Sequence, residues 1–346
     1  MSALSARCSG ARALAWLGAL ALAGALGCKP APREVALLNV SYDPTRELYA
    51  DFNAAFARHH QAQTGEVVAM KQSHGGSGTQ ARAVIDGLEA DVVTLAIEQD
   101  VNAISQRGLI DPAWKQRLPF ASAPYTSTIV LLVRGGNPKQ IHGWDDLARD
   151  GVAVITPNPK TGGGARLNYL AAWAHGSRRF AGDERATRDF VARIYQNVAV
   201  LDSGARGAAM TFVERGIGDV LIAWENEAEL TLATRHKGEF EIVVPSITLL
   251  AEPPVSLVDG YAKQHGTEAT ARAYLEYLYS AEGQAIIEKH HFRARPPEPP
   301  AVPAPAAAAS ATEPTLVRVD DLGGWDAVQR KHFGDGGLYD QMAKRR

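Results

Sequence analysis

Residues 35–63 read VALLNVSYDPTRELYADFNAAFARHHQAQ. Val35 to Val40 is an apolar burst of the length of one buried strand. From Thr45 onward apolar residues return at three- and four-residue spacing, which predicts an amphipathic helix over 45–63. Between the two, Ser41-Tyr42-Asp43-Pro44-Thr45 reads as a helix start. The Asp43 carboxylate is expected to cap free N–H groups, and proline suits the first helical position. Outward from this unit, strands are expected at 67–71, 91–96, 128–133, 152–156 and 220–223. Helices are expected at 79–89, 165–175, 183–195 and 206–215, with a long one within 267–291. Strands alternating with helices of this length indicate an α/β fold with parallel sheets.

The glycines and small polar residues fall at the matching joints of four such units. They are Ser41 to Thr45, His74-Gly75-Gly76-Ser77-Gly78, Thr161-Gly162-Gly163-Gly164 and Asp202-Ser203-Gly204-Ala205. Each joint precedes a helix, so each sets unsatisfied helix N–H groups at the carboxyl edge of a sheet, where the helix dipole favours an anion. In open α/β sheets the crevice at that edge is the usual ligand site. The Gly runs hold no Lys or Arg, which suggests a small anion held by neutral donors. Neither run is followed by the Gly-Lys-Ser/Thr of a P-loop, and no Gly-x-Gly-x-x-Gly opens the first helix.

Composition narrows the classes further. A chain of 346 residues, 46 % hydrophobic and 21 % charged, is ordinary globular protein of about two domains. Its net charge of −2 leaves no basic excess for a nucleic-acid backbone. Arg7 and Arg12 precede an apolar run over 13–27 that is too short for a bilayer span but fits a secretion signal. Ala25-Leu26-Gly27-Cys28 resembles a bacterial lipobox, with Ala25 where Leu is usual, and implies that Cys28 is lipidated. Cys8 leaves with the signal, so no disulfide is expected. Seven Pro and seven Ala within 296–314 cannot supply a core and read as a surface segment. A Gly323-Gly324-Trp325 turn and a short helix follow. The pairs His59-His60 and His290-His291 have no third ligand in view and read as solvated helix faces rather than metal sites.

Several long motifs, in order, resemble the bacterial periplasmic sulfate-binding proteins, the solute receptors of sulfate ABC importers. They are Leu37 to Glu47, Gln72 to Gly78, Ser122 to Val133, Gly135 to His142, Ile155 to Lys160 with Gly163 to Arg166, Leu201 to Gly207, Phe212 to Glu227 and Gly323 to Gly337. The resemblance implies a type II periplasmic binding fold, two α/β lobes joined by two crossover strands around a ligand cleft. Residues 33–128 with 250–295 would make one lobe and 129–249 the other. Residues 1–27 would be the signal, 296–315 the Pro/Ala-rich segment, and 316–346 would pack on the lobes. The family's sulfate contacts fall on the Asp43 N–H, the Ser77 hydroxyl, Gly162, Gly163, Gly164, the Ala205 N–H and the Trp224 indole. His74, Arg166 and Arg206 lie beside these contacts. Gly162 departs from the family, which usually carries Ser there; Thr161 or a water would have to compensate. The same resemblance implies a periplasmic protein serving a membrane permease; a monomer is expected, tethered by lipid through Cys28 if the lipobox reading holds, with no cofactor, metal or nucleic acid.

Sulfate carries no proton to donate, so a site made only of donors suits it. The Asp43 carboxylate is therefore expected to turn away from the anion. Thiosulfate, molybdate and tungstate are rival ligands of the same type. An exported serine hydrolase or sulfatase built on His74 and Ser77 is the rival of another class; Gly75 to Thr79 lacks the last glycine of Gly-x-Ser-x-Gly, and no acid is placed to orient His74. A structural or adhesive lipoprotein would leave the four joints without a purpose.

Overall fold

The structure is a computed structural model that describes residues 33–235, 237–295 and 313–343. The expected signal segment, Cys8 and Cys28 lie outside the described residues, as does the Pro/Ala-rich segment up to residue 312. The strands in chain order are β1 Glu34–Tyr42, β2 Val67–Gly75, β3 Val92–Thr94, β4 Tyr125–Arg134, β5 Val154–Pro157, β6 Val198–Asp202, β7 Val220–Trp224, β8 Phe240–Val243, β9 Ile247–Ala251, β10 Val255–Leu257, β11 Arg293–Ala294 and β12 Thr315–Val317.

They form two sheets, one ordered β10-β3-β1-β2 and the other β12-β9-β4-β7-β5-β6, with β8 and β11 also pairing to β4. The chain leaves the first lobe along β4 and returns through β9 to β10. β1 runs parallel to β2 and β3, and β5 runs parallel to β6 and β7. The expectation of purely parallel sheets fails at the crossings: β4 is antiparallel to β7, β8 and β9, and β10 is antiparallel to β3. A strand that passes between lobes enters its second sheet from the opposite end, which reverses its sense there.

Both sheets are covered on both faces, which explains the unbroken apolar runs. Along β4, Ile129, Leu131 and Val133 enter one core while Val130 and Leu132 enter another. In the first lobe Val35 and Leu37 of β1 meet Leu48, Tyr49, Phe52 and Phe56 of helix Arg46–Thr64. Val40 packs on the opposite side with Val93 and Leu95. Helix Arg46–Thr64 ends at Gly65, whose φ of 77° lets its N–H reach back to the Gln61 carbonyl.

The long helix expected within 267–291 is two, Glu268–Tyr277 and Ala281–Lys289. Ser280 caps the second by accepting the Gly283 N–H at 3.0 Å, and a Cβ on Gly283 would stand 2.2 Å from the Tyr277 carbonyl oxygen. The histidine pairs are not simple solvated faces. His60 is buried against Glu66, His59 lies on the Tyr277 ring, and His290 bonds Asp51. Among the described residues no group of three metal-ligating side chains exists.

The C-terminal segment belongs structurally to the second sheet. β12 lies parallel to β9, and His332, Phe333 and Tyr339 ring the buried Tyr169. The Tyr169 hydroxyl and His332 Nδ1 are 3.0 Å apart, and burial holds the His332 ring down at about 4. A histidine near 6.5 when unfolded and near 4 when folded gives full stability above pH 6.5 and loses it as pH falls through 4. His332→Gln, which keeps an acceptor for Tyr169, should therefore reduce the acid sensitivity of unfolding by about 3 kcal/mol between pH 7 and 4. Parallel stability-pH curves for the two proteins in denaturant melts would show the assignment to be wrong.

Candidate anion-binding site

Four joints meet at one small cavity, with about 30 Å³ of space that the centre of a water molecule can reach. Its wall includes Asp43, Ser77, Gly162, Gly164, Ala205 and Trp224. Ser77 is the first residue of helix Ser77–Ile85, and Ala205 is the first of helix Ala205–Val213. Gly163 and Gly164 open helix Gly163–Arg179, and Asp43 opens the tight turn Asp43–Thr45. The first N–H groups of a helix have no partner within it, so these starts collect free donors around one point. Trp224 ends β7 with its buried indole N–H 3.4 Å from the Gly164 carbonyl. Its ring also leans on Tyr42 of the other lobe, with centroids 5.4 Å apart.

The lobes touch here through backbone, and glycine is what permits it. A Cβ on Gly76 would stand 2.7 Å from the Thr161 carbonyl oxygen, and one on Gly204 would stand 2.4 Å from Asp43 Oδ2. Gly163 is outside the cavity wall, pressed against Ser77, Ile97 and Asp100, where a Cβ would lie 2.6 Å from Asp100 Oδ2.

Several expected roles change in the structure. Asp43 caps no helix N–H; its carboxylate instead accepts from Arg46 at 2.9 Å, because Tyr42 rather than Asp43 holds the cap position. The Ser77 hydroxyl accepts the Ala96 N–H at 3.0 Å and gives its single proton to Asp100 at 2.6 Å, which leaves the backbone N–H as the donor Ser77 has free. The Gly162 N–H is spent on the Asn158 carbonyl at 2.9 Å. Thr161 does not replace the missing serine, since its hydroxyl donates to the Ser203 carbonyl at 2.7 Å.

No Lys, Arg or His is among the described residues lining the cavity. Arg206 pairs across the lobes with Glu47, and Arg166 stands 3.6 Å from Asp100. His74 lies outside the wall, its Nε2 on Gln72 at 2.6 Å, and burial with the Arg46 charge holds its ring below the usual histidine range. A cationic His74 is thus not part of this cavity.

Sequence reading missed two carboxyls. Asp100 is buried beneath Ser77, and desolvation raises it although Arg166 and the Ser77 hydroxyl oppose the rise. Nothing local marks Asp100, which arrives 23 positions after Ser77 through tertiary folding. Glu227 lines the cavity, and burial together with Asp43 and Glu47 lifts its carboxyl to about 8 against the pull of Arg206. Its signal was present: it lies one helical turn past Trp224, on the helix Glu225–Thr234 that begins at that strand end.

Residues 37–293 match the family described as bacterial extracellular solute-binding protein. The chain is similar to the sulfate-binding protein of Escherichia coli, 56 % identical over 90 % of this chain and 94 % of that one. It is 45 % identical to the thiosulfate-binding protein of Pseudomonas aeruginosa, over 88 % of this chain and 91 % of that one. The solved sulfate-binding protein SubI from Mycobacterium tuberculosis aligns at a TM-score of 0.74 and 32 % identity, covering 85 % of this chain and 98 % of that one. With its two lobes, its crossover strands and a family match over most of its length, the chain belongs to the bacterial extracellular solute-binding proteins.

Proposed function

We propose that this protein captures sulfate in the closed cleft and delivers it to the permease of an ABC importer, with thiosulfate as the near alternative. The observation that carries the reading is the cavity itself: the starts of three helices, at Ser77, Gly164 and Ala205, and the Trp224 side chain line it, with no Lys, Arg or His among the described lining residues. Such a set stabilises an anion that is already fully ionised. Hydrogen phosphate would bring a proton needing an acceptor, and leaving it unpaired in a dry site costs about 1–3 kcal/mol. A serine hydrolase reading finds no support, since Ser77 bonds Asp100 while the His74 ring bonds Gln72. Calorimetric titration with sulfate, thiosulfate, molybdate and phosphate tests the reading, and tighter binding of phosphate or molybdate than of sulfate would overturn it.

The same reading takes residues 33–128 with 250–295 as one lobe and 129–249 as the other, hinged within β4 and β9. It takes 1–27 as a secretion signal and Cys28 as the acylated first residue of a periplasmic monomer. The mass of the chain extracted from membranes of the producing bacterium should show acyl groups on Cys28; a chain cleaved elsewhere, or an unmodified Cys28, removes the tether from the reading.

Trp224→Phe removes one N–H donor and little apolar bulk. It should weaken sulfate binding by about 1–3 kcal/mol with the melting behaviour nearly unchanged, and unaltered affinity would make Trp224 a core residue only. Gly76→Ala addresses closure. Its φ of −59° accepts alanine, so the obstacles to a Cβ are the Thr161 and Ser203 carbonyls of the other lobe, at 2.7 and 3.0 Å. The variant should fold normally yet lose affinity by about tenfold or more, roughly 1.4 kcal/mol. Small-angle scattering should then show that ligand no longer compacts it; wild-type compaction and affinity would place closure elsewhere.

A further inference from the structure

Glu227 has no role in the donor set described above, yet it forms part of the cavity wall. It also lines a groove of about 200 Å³ on the outer side, between helices Ala205–Val213 and Glu225–Thr234. The side chain therefore stands between the anion cavity and the groove that reaches solvent. The charged and titratable groups around it come from four elements. Tyr42 and Asp43 face it from the end of β1 and the turn that follows, Glu47 from helix Arg46–Thr64, and Arg206 from helix Ala205–Val213. Farther along the groove Glu214 and Arg235 pair with one another. The cations are committed: Arg206 holds Glu47, Arg46 holds Asp43, and Arg235 holds Glu214. An ionised Glu227 would thus face two carboxylates and share one arginine, and a dianion in the cavity would add a third negative neighbour.

We propose that Glu227 is a proton-linked determinant of affinity: the anion occupies the cavity only together with the proton on this side chain. The proposal rests on the oxyanion reading above. Burial and the acidic neighbours keep the carboxyl neutral below about pH 8, where it adds no repulsion. Above that pH the free protein has lost the proton, so each anion bound must take one proton from solvent. By linkage, affinity then falls as pH rises. Among the other described residues of the wall, burial lifts the Tyr42 hydroxyl well above the ordinary tyrosine range, and the Trp224 indole does not ionise.

The test is sulfate titration by calorimetry at pH 7.0 and 9.5 on the native protein and on Glu227→Gln, which keeps the shape and a neutral head. Full linkage predicts a fall on the order of tenfold or more for the native protein and a change within about twofold for the variant. Repeating the pH 9.5 titration in two buffers of different ionisation enthalpy should register uptake of roughly one proton in the native protein and none in the variant. A native protein whose affinity is flat to pH 9.5, or a variant that keeps the native slope, overturns the role of Glu227 alone. Failure of the native protein to bind sulfate at pH 7.0 overturns the oxyanion reading, and this proposal with it. If the variant does not fold, proton uptake by the native protein decides: none measured at pH 9.5 overturns the proposal.

Discussion

The N–H groups at a helix start have nowhere to go inside the helix, and this molecule gathers such starts from both lobes around one enclosed space. That requirement reaches back into the whole architecture. Each helix must follow a strand directly, so that its first turn sits at the sheet edge. The residues at the joints must be small enough for backbone to meet backbone. Gly76 under the Thr161 carbonyl and Gly204 beside Asp43 meet that condition from opposite lobes. Lengthening either joint, or adding a Cβ there, would move donors away from the point they share.

Charge is arranged to keep this space neutral rather than positive. Arg46, Arg166 and Arg206 all stand near the joints, and each is held near an acid, Asp43, Asp100 and Glu47 respectively. A free arginine would bind a dianion more strongly, but it would also accept phosphates and carboxylates of many kinds. Fixed N–H dipoles instead reward an anion of one size that needs only donors. Asp100 extends this logic one residue deeper: by accepting the Ser77 hydroxyl hydrogen bond, it fixes the side chain at the first position of helix Ser77–Ile85.

The joints and the sheet strands were legible in the sequence because both are local signals, apolar bursts and Gly-rich turns before helices. Boundaries shifted where tertiary pairing extended an element: β2 continues to Gly75 because its partner β1 continues to Tyr42. The reversed sense of β4 was not legible, since strand direction depends on which sheet a strand enters, and nothing in Tyr125 to Arg134 encodes that. Hydrogen-bond commitments were least legible. Ser77, Gly162 and Thr161 stand at joints that meet, but whether each N–H or O–H is free depends on Asp100, Asn158 and Ser203. Glu227 shows the reverse case, a residue inside a recognised motif whose chemistry emerges only when Asp43 and Glu47 arrive from the other lobe.

Around the cavity the lobes are joined by polar pairs and by a buried apolar cluster in which Tyr42, Ala96 and Ile97 share a core with Leu167 and Trp224. Arg206 to Glu47 is a half-exposed pair, and such pairs contribute at most about 1 kcal/mol. Arg166 with Asp100 and the tilted Tyr42–Trp224 contact add to it. Glu227 of one lobe stands beside Asp43 and Glu47 of the other, so any charge on it opposes them. An anion that bonds donors from both lobes at once adds its interactions only to the closed form, so it shifts the equilibrium by its full differential affinity.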